Sequence, residues 1–218
     1  MVTHAAQPPF GGGDLLAYLD GLVPPRPPEL AEMEAYARRT SFPIVGIASG
    51  HFCYLVARMI GARRVFELGS GYGYSTAWFA RAVKENGGGQ VYHVVWDAGL
   101  SSQARAHLEA LGLADGMEYR VGEAIQTLRE TEGPFDLIFN DIDKEGYPDS
   151  LQVIAEKLRP GGVLIVDNML YHGRIFDPAD QAATTNGVRE LTRRVTADPA
   201  WISSIIPIRD GLLLAYKK

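Results

Sequence analysis

The chain has 218 residues, of which 46% are hydrophobic and 22% are charged, and its formal net charge at pH 7 is −5. This length and composition predict a globular protein with one full α/β core. The acidic balance provides no general field that would attract nucleic acid or an anionic membrane, so we expect neither as a partner and favour a small molecule.

The N-terminal residues lack a basic segment followed by an apolar stretch, and no apolar run approaches the length of a membrane span. The single cysteine, Cys53, lies in an apolar run and excludes an intramolecular disulfide, which fits a reducing compartment. We therefore expect a cytoplasmic protein in which Cys53 fills part of the core.

The first 46 residues are predicted to form an N-terminal helical cap. Apolar residues recur at helical spacing in residues 14–22 and 28–40, and a proline-rich stretch separates the two segments. Ser49 is predicted to cap a third helix, roughly residues 51–60, which leads into the first strand.

From residue 64 onward, apolar runs alternate with helical patterns, which predicts parallel strands joined by helices. The predicted strands are residues 64–68, 91–95, 118–121, 135–140 and 163–167. The last two apolar segments, residues 201–208 and 211–217, are joined by a turn too short for a parallel crossover, so they must form an antiparallel hairpin. The fold class is therefore α/β. We expect a single domain, residues 1–218, with its core in residues 47–218 and a mostly parallel seven-stranded sheet.

The stretch Val65–Ser75, V-F-E-L-G-S-G-Y-G-Y-S, predicts a ligand-binding loop between a strand and a helix. Gly69, Gly71 and Gly73 allow a tight turn against a ligand, and the following helix presents free N–H groups. The G-x-G-x-G spacing differs from the G-x-G-x-x-G of dinucleotide sites, and Glu67 suits a cationic ligand group. The motif resembles motif I of S-adenosylmethionine-dependent methyltransferases; the alternative is an ordinary strand-to-helix turn.

Carboxylates and an amide follow two further strands. The fourth strand ends in N-D-I-D-K-E-G-Y and the fifth in V-D-N-M, and ligands of such sheets bind at these carboxyl ends. Asp141, Asp167 and Asn168 offer oxygen ligands, which suit a Mg²⁺-type ion that keeps waters or takes substrate oxygens. The alternative is that these side chains only solvate loops.

Both acid-rich segments resemble the metal-dependent O-methyltransferases of the catechol and caffeoyl-CoA type. The first is F-D-L-I-F-N-D-I-D-K-E-G-Y, the second begins L-R-P-G-G-V-L-I-V-D-N-M-L, and the resemblance extends from about residue 47 to the C-terminus. It implies a Rossmann-like class I methyltransferase fold, S-adenosylmethionine as cofactor, a phenolic small-molecule acceptor and a homodimer. It also implies Asp141, Asp167 and Asn168 as ligands of Mg²⁺ or a similar divalent cation, and Lys144 as the base. A solvated loop lysine is the other interpretation of Lys144.

The resemblance also places a set of cofactor-binding positions, with one departure. In this family the second strand normally ends in an acid that binds the ribose, whereas here Val95 occupies that position in V-V-W-D. Losing such a bond typically costs about 1.5 to 3 kcal/mol, or roughly ten- to a hundredfold in affinity. Asp97 shares a face with Val95 if the strand continues, and it then replaces the missing acid. The predicted cofactor positions are Glu67, Gly69, Gly71, Gly73, Tyr74, Ser75, Trp96, Asp97, Glu123, Ala124 and Asp141.

Two other functions remain open at this point. The departure at Val95 motivates a degenerate or regulatory protein of the same fold with weak or no catalysis. A nicotinamide-dependent oxidoreductase is disfavoured by the glycine spacing and by the closing hairpin.

Overall fold

The computed structural model describes residues 12–218, and the part of the predicted cap in residues 1–11 lies outside them. Three helices come first: α1 (Gly12–Leu22), α2 (Pro28–Thr40) and α3 (Ile47–Met59). Pro28 occupies the first turn of α2, where its missing N–H costs nothing and its fixed φ favours the helix. α1 is tied to α3 by the N–H of Ala48, which donates to Asp20 Oδ1 over 2.9 Å.

Strands and helices then alternate as far as the fifth strand, and one further helix separates this strand from two closing strands. The bounds are β1 (Arg64–Leu68), α4 (Tyr74–Glu85), β2 (Gln90–Val95), α5 (Ala98–Ala110), β3 (Met117–Val121), α6 (Ala124–Glu130), β4 (Phe135–Asn140), α7 (Tyr147–Lys157), β5 (Leu158–Val166), α8 (Ala183–Ala197), β6 (Trp201–Ile206) and β7 (Leu212–Lys217). Two 3₁₀ segments, Lys144–Gly146 and Tyr171–Phe176, follow the ends of β4 and β5.

The sheet has seven strands in the order β3-β2-β1-β4-β5-β7-β6. β1 to β5 pair in parallel, whereas β7 is antiparallel to both β5 and β6. The predicted fold, a mostly parallel sheet closed by an antiparallel hairpin, is confirmed. Because the strand order reverses between β1 and β4, their carboxyl ends flank the crevice where such sheets bind ligands.

Each face of the sheet packs against its own group of helices. In β1, Val65 belongs to the apolar cluster that includes residues of α2, α3 and α4, whereas the next residue, Phe66, belongs to the cluster with residues of α7 and α8. This division follows from the strand geometry, because successive side chains point to opposite faces. A sheet covered on both faces leaves its strand ends and loops as the natural place for a ligand.

The start of α3 was predicted wrongly. The helix begins at Ile47 after Gly46, and Ser49 is buried in its first turn with no hydrogen-bond partner for its hydroxyl among the described residues. Gly46 has φ +84°, a conformation that glycine adopts without strain. The backbone of the preceding segment, rather than a side-chain cap, thus sets the start of α3.

Two further properties can be stated for residues 12–218. None of their helices combines the length and the apolar character needed to cross a membrane. Cys53 is free and buried, as predicted, and burial raises the pKa of its thiol well above the ordinary value. The division into a cap and a single core stays a prediction.

Candidate active site

The loop between β1 and α4 makes close contacts that leave no room for a side chain at two of its glycines. Gly69 has φ +85°, and a Cβ there would lie 2.4 Å from the backbone oxygen of Asp141. Gly73 has φ +93°, and a Cβ there would lie 2.8 Å from the Cβ of Ala104. Ser70 ties the loop to β2, since its Oγ accepts from the N–H of Val94 over 2.9 Å. The loop therefore lies tightly against the ends of both neighbouring strands.

A buried polar cluster, Glu67, Thr76 and His93, lies beneath this loop. The hydroxyl of Thr76 donates to Glu67 Oε2 and lies 3.1 Å from His93 Nδ1. Glu67 Oε1 and His93 Nε2 are buried with no hydrogen-bond partner among the described residues. Burial raises the pKa of Glu67 to about 7 and lowers that of His93 to about 4.

The first turn of α4 is open to ligands. α4 begins at Tyr74 after Gly73, and no side chain caps its N-terminus. Its first N–H groups therefore face the end of the sheet, where they favour an anionic group. The Tyr74 hydroxyl donates to Glu34 Oε1 over 3.0 Å, and Glu34 is paired with Arg26 at 2.7 Å. The hydrogen bond from Tyr74 to Glu34 therefore ties α2 to the start of α4.

Two adjoining cavities open at the carboxyl ends of the strands. We call the first the acidic cavity; it measures about 400 Å³ and is lined by residues that include Asp141, Lys144 and Asp167. The second, the apolar cavity, measures about 350 Å³ and is lined by residues that include Val95 and Trp96. Six residues line both cavities: Phe42, Gly69, Gly71, Asp141, Ile142 and Asp143. A single elongated ligand can therefore extend along the glycine loop from one cavity into the other.

The predicted cofactor positions divide between these cavities. Tyr74 and Ser75 line the acidic cavity, whereas Trp96, Glu123 and Ala124 line the apolar cavity. Gly69, Gly71 and Asp141 line both, as described above. Glu67, Gly73 and Asp97 line neither cavity, and as direct contacts of a cofactor they stay predictions.

The carboxylates beside the apolar cavity cap helices. Glu123 accepts from the N–H groups of Ile125 and Gln126 over 3.0 and 2.6 Å. Asp97 Oδ1 accepts from the N–H of Leu100 over 2.7 Å. The premise for a ribose contact by Asp97 is wrong, because β2 ends at Val95 and Asp97 begins the turn into α5 instead of continuing the strand.

Asp141 and Asp167 meet in the acidic cavity, as predicted. They follow the neighbouring strands β4 and β5, and the N–H of Asp167 donates to the backbone oxygen of Asn140 over 3.2 Å. Burial, and then the charge of Asp141, raises the pKa of Asp167 to about 7. Burial also raises the pKa of Asp141, although the ammonium of Lys144 acts in the opposite direction. The two carboxylates are thus close enough to repel each other.

Asn168 is oriented by a neighbour in the β6–β7 turn. Its Nδ2 donates to Asp210 Oδ2 over 3.1 Å, which leaves the amide oxygen for another partner. Asp210 Oδ1 also accepts from the N–H of His172 over 2.6 Å. Hydrogen bonds of this kind fix the orientation of side chains that bind metals.

Lys144 points its ammonium into the acidic cavity. Nζ donates to Asp141 Oδ1 over 2.7 Å and to the backbone oxygen of Ile142 over 3.2 Å. It also lies 4.9 Å from the ring centroid of Tyr147. Of the two interpretations of Lys144, the geometry contradicts the solvated loop lysine, because only 14% of the side chain is exposed.

The donor set of the acidic cavity fits a divalent cation. Asp167 Oδ1 is buried and has no hydrogen-bond partner in the part of the chain that the structure describes. A cation beside Asp141 would relieve the repulsion between the two carboxylates, and Asn168 adds a neutral oxygen. No cluster of three or more His, Cys, Asp or Glu side chains that could hold a metal occurs within residues 12–218. Two carboxylates and one amide therefore leave positions for waters or substrate oxygens.

Sequence reasoning missed several residues of the acidic cavity. Residues 42–45, between α2 and α3, form part of its wall, and Arg209 enters it from the β6–β7 turn. Four of its residues adopt positive φ without being glycine: Asn168, Tyr171, His172 and Arg209. Such strain clusters at functional sites, but the sequence carries no motif for it. The R-D-G tripeptide was the one available signal, and it indicated only a turn.

The chain is similar to proteins of known type over nearly its whole length. A family model described as O-methyltransferase matches residues 27–218. A catechol O-methyltransferase of Niastella koreensis is 30% identical over 216 residues, which cover 94% of each chain. A catechol O-methyltransferase of Mycobacterium tuberculosis is 35% identical over 181 residues, which cover 82% of this chain and 81% of that protein.

Solved structures show the same likeness. The O-methyltransferase TomG from Streptomyces achromogenes, in complex with S-adenosylmethionine, superposes with a TM-score of 0.84 at 28% identity and covers 94% of this chain and 96% of its own. An O-methyltransferase from Bacillus cereus, in complex with S-adenosylhomocysteine, gives a TM-score of 0.85 at 28% identity. The superposition covers 94% of this chain and 97% of that protein.

Proposed function

The chain belongs to the O-methyltransferase family and uses S-adenosylmethionine, and from this premise we propose that it methylates one hydroxyl of a catechol-type phenol with the help of a divalent cation. One observation carries the proposal: Asp141 and Asp167 share a cavity wall, and one buried oxygen of Asp167 has no partner among the described residues. The relatives named catechol O-methyltransferase support the acceptor class.

The two cavities suit the two ends of the cofactor. The apolar cavity offers Trp96, Ala124 and Ile125 to an adenine ring. The glycine loop and the open N-terminus of α4 offer N–H groups to the carboxylate of the methionine part. This orientation directs the sulfonium toward the acidic cavity, where the acceptor oxygen must be close and aligned.

The chain's own residues would hold a cation and the acceptor together. Asp141, Asp167 and the amide oxygen of Asn168 would bind the ion, and Asp210 would keep Asn168 in place. A divalent cation held by these residues would supply Lewis-acid chemistry, lowering the pKa of a hydroxyl that binds it.

Lys144 is proposed as the base that receives the proton of the reacting hydroxyl. Its Nζ is fixed at the edge of the cavity by Asp141 and by the backbone oxygen of Ile142. A divalent charge on Asp141 would weaken this ion pair and disfavour the ammonium, so that Nζ can accept a proton.

A second candidate function rests on Val95. This side chain is 5% exposed and lines the apolar cavity at the position where the family carries a ribose-binding acid. A degenerate or regulatory protein would bind the cofactor weakly and catalyse slowly or not at all. The oxidoreductase alternative has lost its basis, because the O-methyltransferase model matches residues 27–218.

The assembly and location implied by the sequence are proposals as well. We propose a cytoplasmic homodimer that pairs through the terminal hairpin, where Ile202 and Tyr216 expose 60% and 44% of their surface. Analytical ultracentrifugation of the wild type and of Ile202→Ser would test the dimer, since the variant should shift toward monomer.

Calorimetry and product analysis test the main proposal together. We expect S-adenosylmethionine to bind, Mg²⁺ to bind in its presence, and catechol to yield a monomethyl ether detectable by mass spectrometry. Chelation with EDTA should abolish turnover, and Mg²⁺ should restore it. Turnover that is unchanged in EDTA would refute the role of the cation, and cofactor binding without any product would favour the regulatory alternative.

A further inference from the structure

Arg209 places a long cationic side chain in the acidic cavity from a strained backbone position. It lies in the β6–β7 turn with φ +53°, and its side chain is 26% exposed. The aliphatic part runs past the backbone before α3, since a Cβ on Gly46 would lie 3.1 Å from Arg209 Cδ. Non-glycine residues persist at such φ values where the surroundings hold them, and here Gly46 provides the space that the side chain needs.

The guanidinium has few partners for its capacity. Its Nη1 lies 3.4 Å from Asp167 Oδ2, and this long contact is its one hydrogen bond within residues 12–218. A guanidinium carries five N–H donors in a rigid fork, so most of its donors remain available. By contrast, the ammonium of Lys144 makes a 2.7 Å bond to Asp141 Oδ1 and a second bond to a backbone oxygen.

The charges of the acidic cavity indicate what Arg209 is free to bind. Lys144 and Arg209 pair with Asp141 and Asp167, and the exposed Asp143 adds a third carboxylate to the lining. A divalent cation held by Asp141 and Asp167 would add two positive charges and take the carboxylate that Arg209 now contacts. A partly buried guanidinium without a counter-charge is costly, and an anionic group on a bound ligand would supply that counter-charge.

We propose that the guanidinium of Arg209 binds a carboxylate of a ligand in the acidic cavity, which makes carboxylated catechols the preferred acceptor class. This inference rests on the proposed function. A planar carboxylate matches the guanidinium fork with two parallel hydrogen bonds. The methionine part of the cofactor is a second source of the same group, and the experiment separates the two sources.

The first arm of the test measures acceptor binding by calorimetry in the presence of Mg²⁺ and S-adenosylhomocysteine. The probes are 3,4-dihydroxybenzoate and catechol, which differ only in the carboxylate. We expect Arg209→Met to lower the affinity for 3,4-dihydroxybenzoate roughly ten- to a hundredfold and the affinity for catechol less than about threefold. Arg209→Lys should recover part of the loss because it keeps the charge, and the exposed Arg193→Met on α8 should change neither probe.

The second arm measures S-adenosylhomocysteine and 5′-methylthioadenosine, which lacks the carboxylate, without any acceptor. If Arg209 binds the carboxylate of the cofactor, Arg209→Met lowers the affinity for S-adenosylhomocysteine by roughly the same ten- to hundredfold. The affinities for 5′-methylthioadenosine and 3,4-dihydroxybenzoate then stay unchanged. An Arg209→Met protein that binds 3,4-dihydroxybenzoate and S-adenosylhomocysteine like the wild type overturns the inference. A wild type that binds neither phenol contradicts the proposed function, and the second arm then decides the role of Arg209 alone.

Discussion

The two halves of the sheet edge use carboxylates in opposite ways. Asp97 and Glu123 follow β2 and β3, and each accepts hydrogen bonds from the N–H groups of the helix that begins at the next residue. Asp141 and Asp167 follow β4 and β5, where 3₁₀ segments without side-chain caps come next. The same residue type thus stabilises a helix in one half and faces a cavity in the other.

This difference shows what makes a strand-end carboxylate available to a ligand. A carboxylate immediately before a helix accepts from the free N–H groups of that helix, with both oxygens at Glu123 and with Oδ1 at Asp97. When a loop intervenes, the helix donors are replaced by side chains, here Lys144 at Asp141 and Arg209 at Asp167, and one oxygen of Asp167 has no partner among the described residues. Burial of such carboxylates disfavours their charged form. Burial accordingly raises the pKa values of Asp141 and Asp167.

The largest predicted effect belongs to the acidic half. Lys144→Met should lower kcat about 10²- to 10⁴-fold with catechol, because it removes the proposed proton acceptor. Steady-state kinetics with and without Mg²⁺ would measure this loss, while calorimetry should show cofactor affinity within about threefold of the wild type.

Lys84→Met, on the exposed surface of α4, is the matched control, since it also removes one ammonium but lies in neither cavity wall. A Lys144→Met enzyme with wild-type kcat would show that another group receives the proton. The acidic cavity at the ends of β4 and β5 would then differ from the other half of the sheet edge in ligand binding but not in proton transfer.

Much of this contrast could be predicted from the sequence. The apolar runs predicted all seven strands, although β5 begins at Leu158 and not at residue 163. The pairing of Asp141 with Asp167 followed from a general rule, since the ends of parallel strands meet at one edge.

The remainder depended on backbone geometry that has no sequence signature. A ribose contact by Asp97 depended on β2 continuing past residue 95, but β2 ends at Val95 and Asp97 caps α5 through its bond to the N–H of Leu100. Arg209 lines the acidic cavity from the turn between β6 and β7, where its backbone has a positive φ. Neither feature follows from the spacing of residue types.

The buried cluster of Glu67, Thr76 and His93 provides a sharper comparison, because its carboxylate faces neither cavity. The pKa of Glu67 is raised to about 7, so the folded state binds more protons between pH 4.5 and 7 and loses stability as pH rises. The pKa of His93 is lowered to about 4, so the folded state binds fewer protons between pH 4 and 6.5 and gains stability as pH rises. The two slopes offset each other in the wild type.

Single variants should therefore reveal opposite slopes. In Glu67→Gln the free energy of unfolding should rise by about 3 kcal/mol from pH 4 to 6.5, at roughly 1.4 kcal/mol per pKa unit. In His93→Asn it should fall by a similar amount from pH 4.5 to 7. Urea unfolding at pH steps measures both, with the exposed Glu130→Gln as control. Flat profiles in both variants would contradict the prediction, because each remaining group would then have the same pKa in the folded and the unfolded state.

Val95→Asp would place a carboxylate that caps no helix at the end of β2. This half of the sheet edge would then resemble the half formed by β4 and β5. We expect S-adenosylhomocysteine to bind roughly ten- to a hundredfold more tightly, because a charged acceptor would meet the ribose hydroxyls. Calorimetry measures the affinity, and Val95→Asn separates the hydrogen bond from the charge. If the wild type already binds tightly and the variant binds no better, the acid is replaced elsewhere and the regulatory alternative loses its basis.

The smallest effect tests whether Asp97 acts as a cap alone. Asp97→Ala should lower the free energy of unfolding by about 1 kcal/mol, because it removes the bond to the N–H of Leu100. Asp97→Asn should restore most of this stability, since an asparagine oxygen also caps helices. Urea unfolding measures both variants, and calorimetry with S-adenosylhomocysteine should give unchanged affinity. A tenfold loss of affinity in Asp97→Ala, recovered only with the carboxylate, would show that Asp97 contacts the cofactor and that the two halves differ less than their caps indicate.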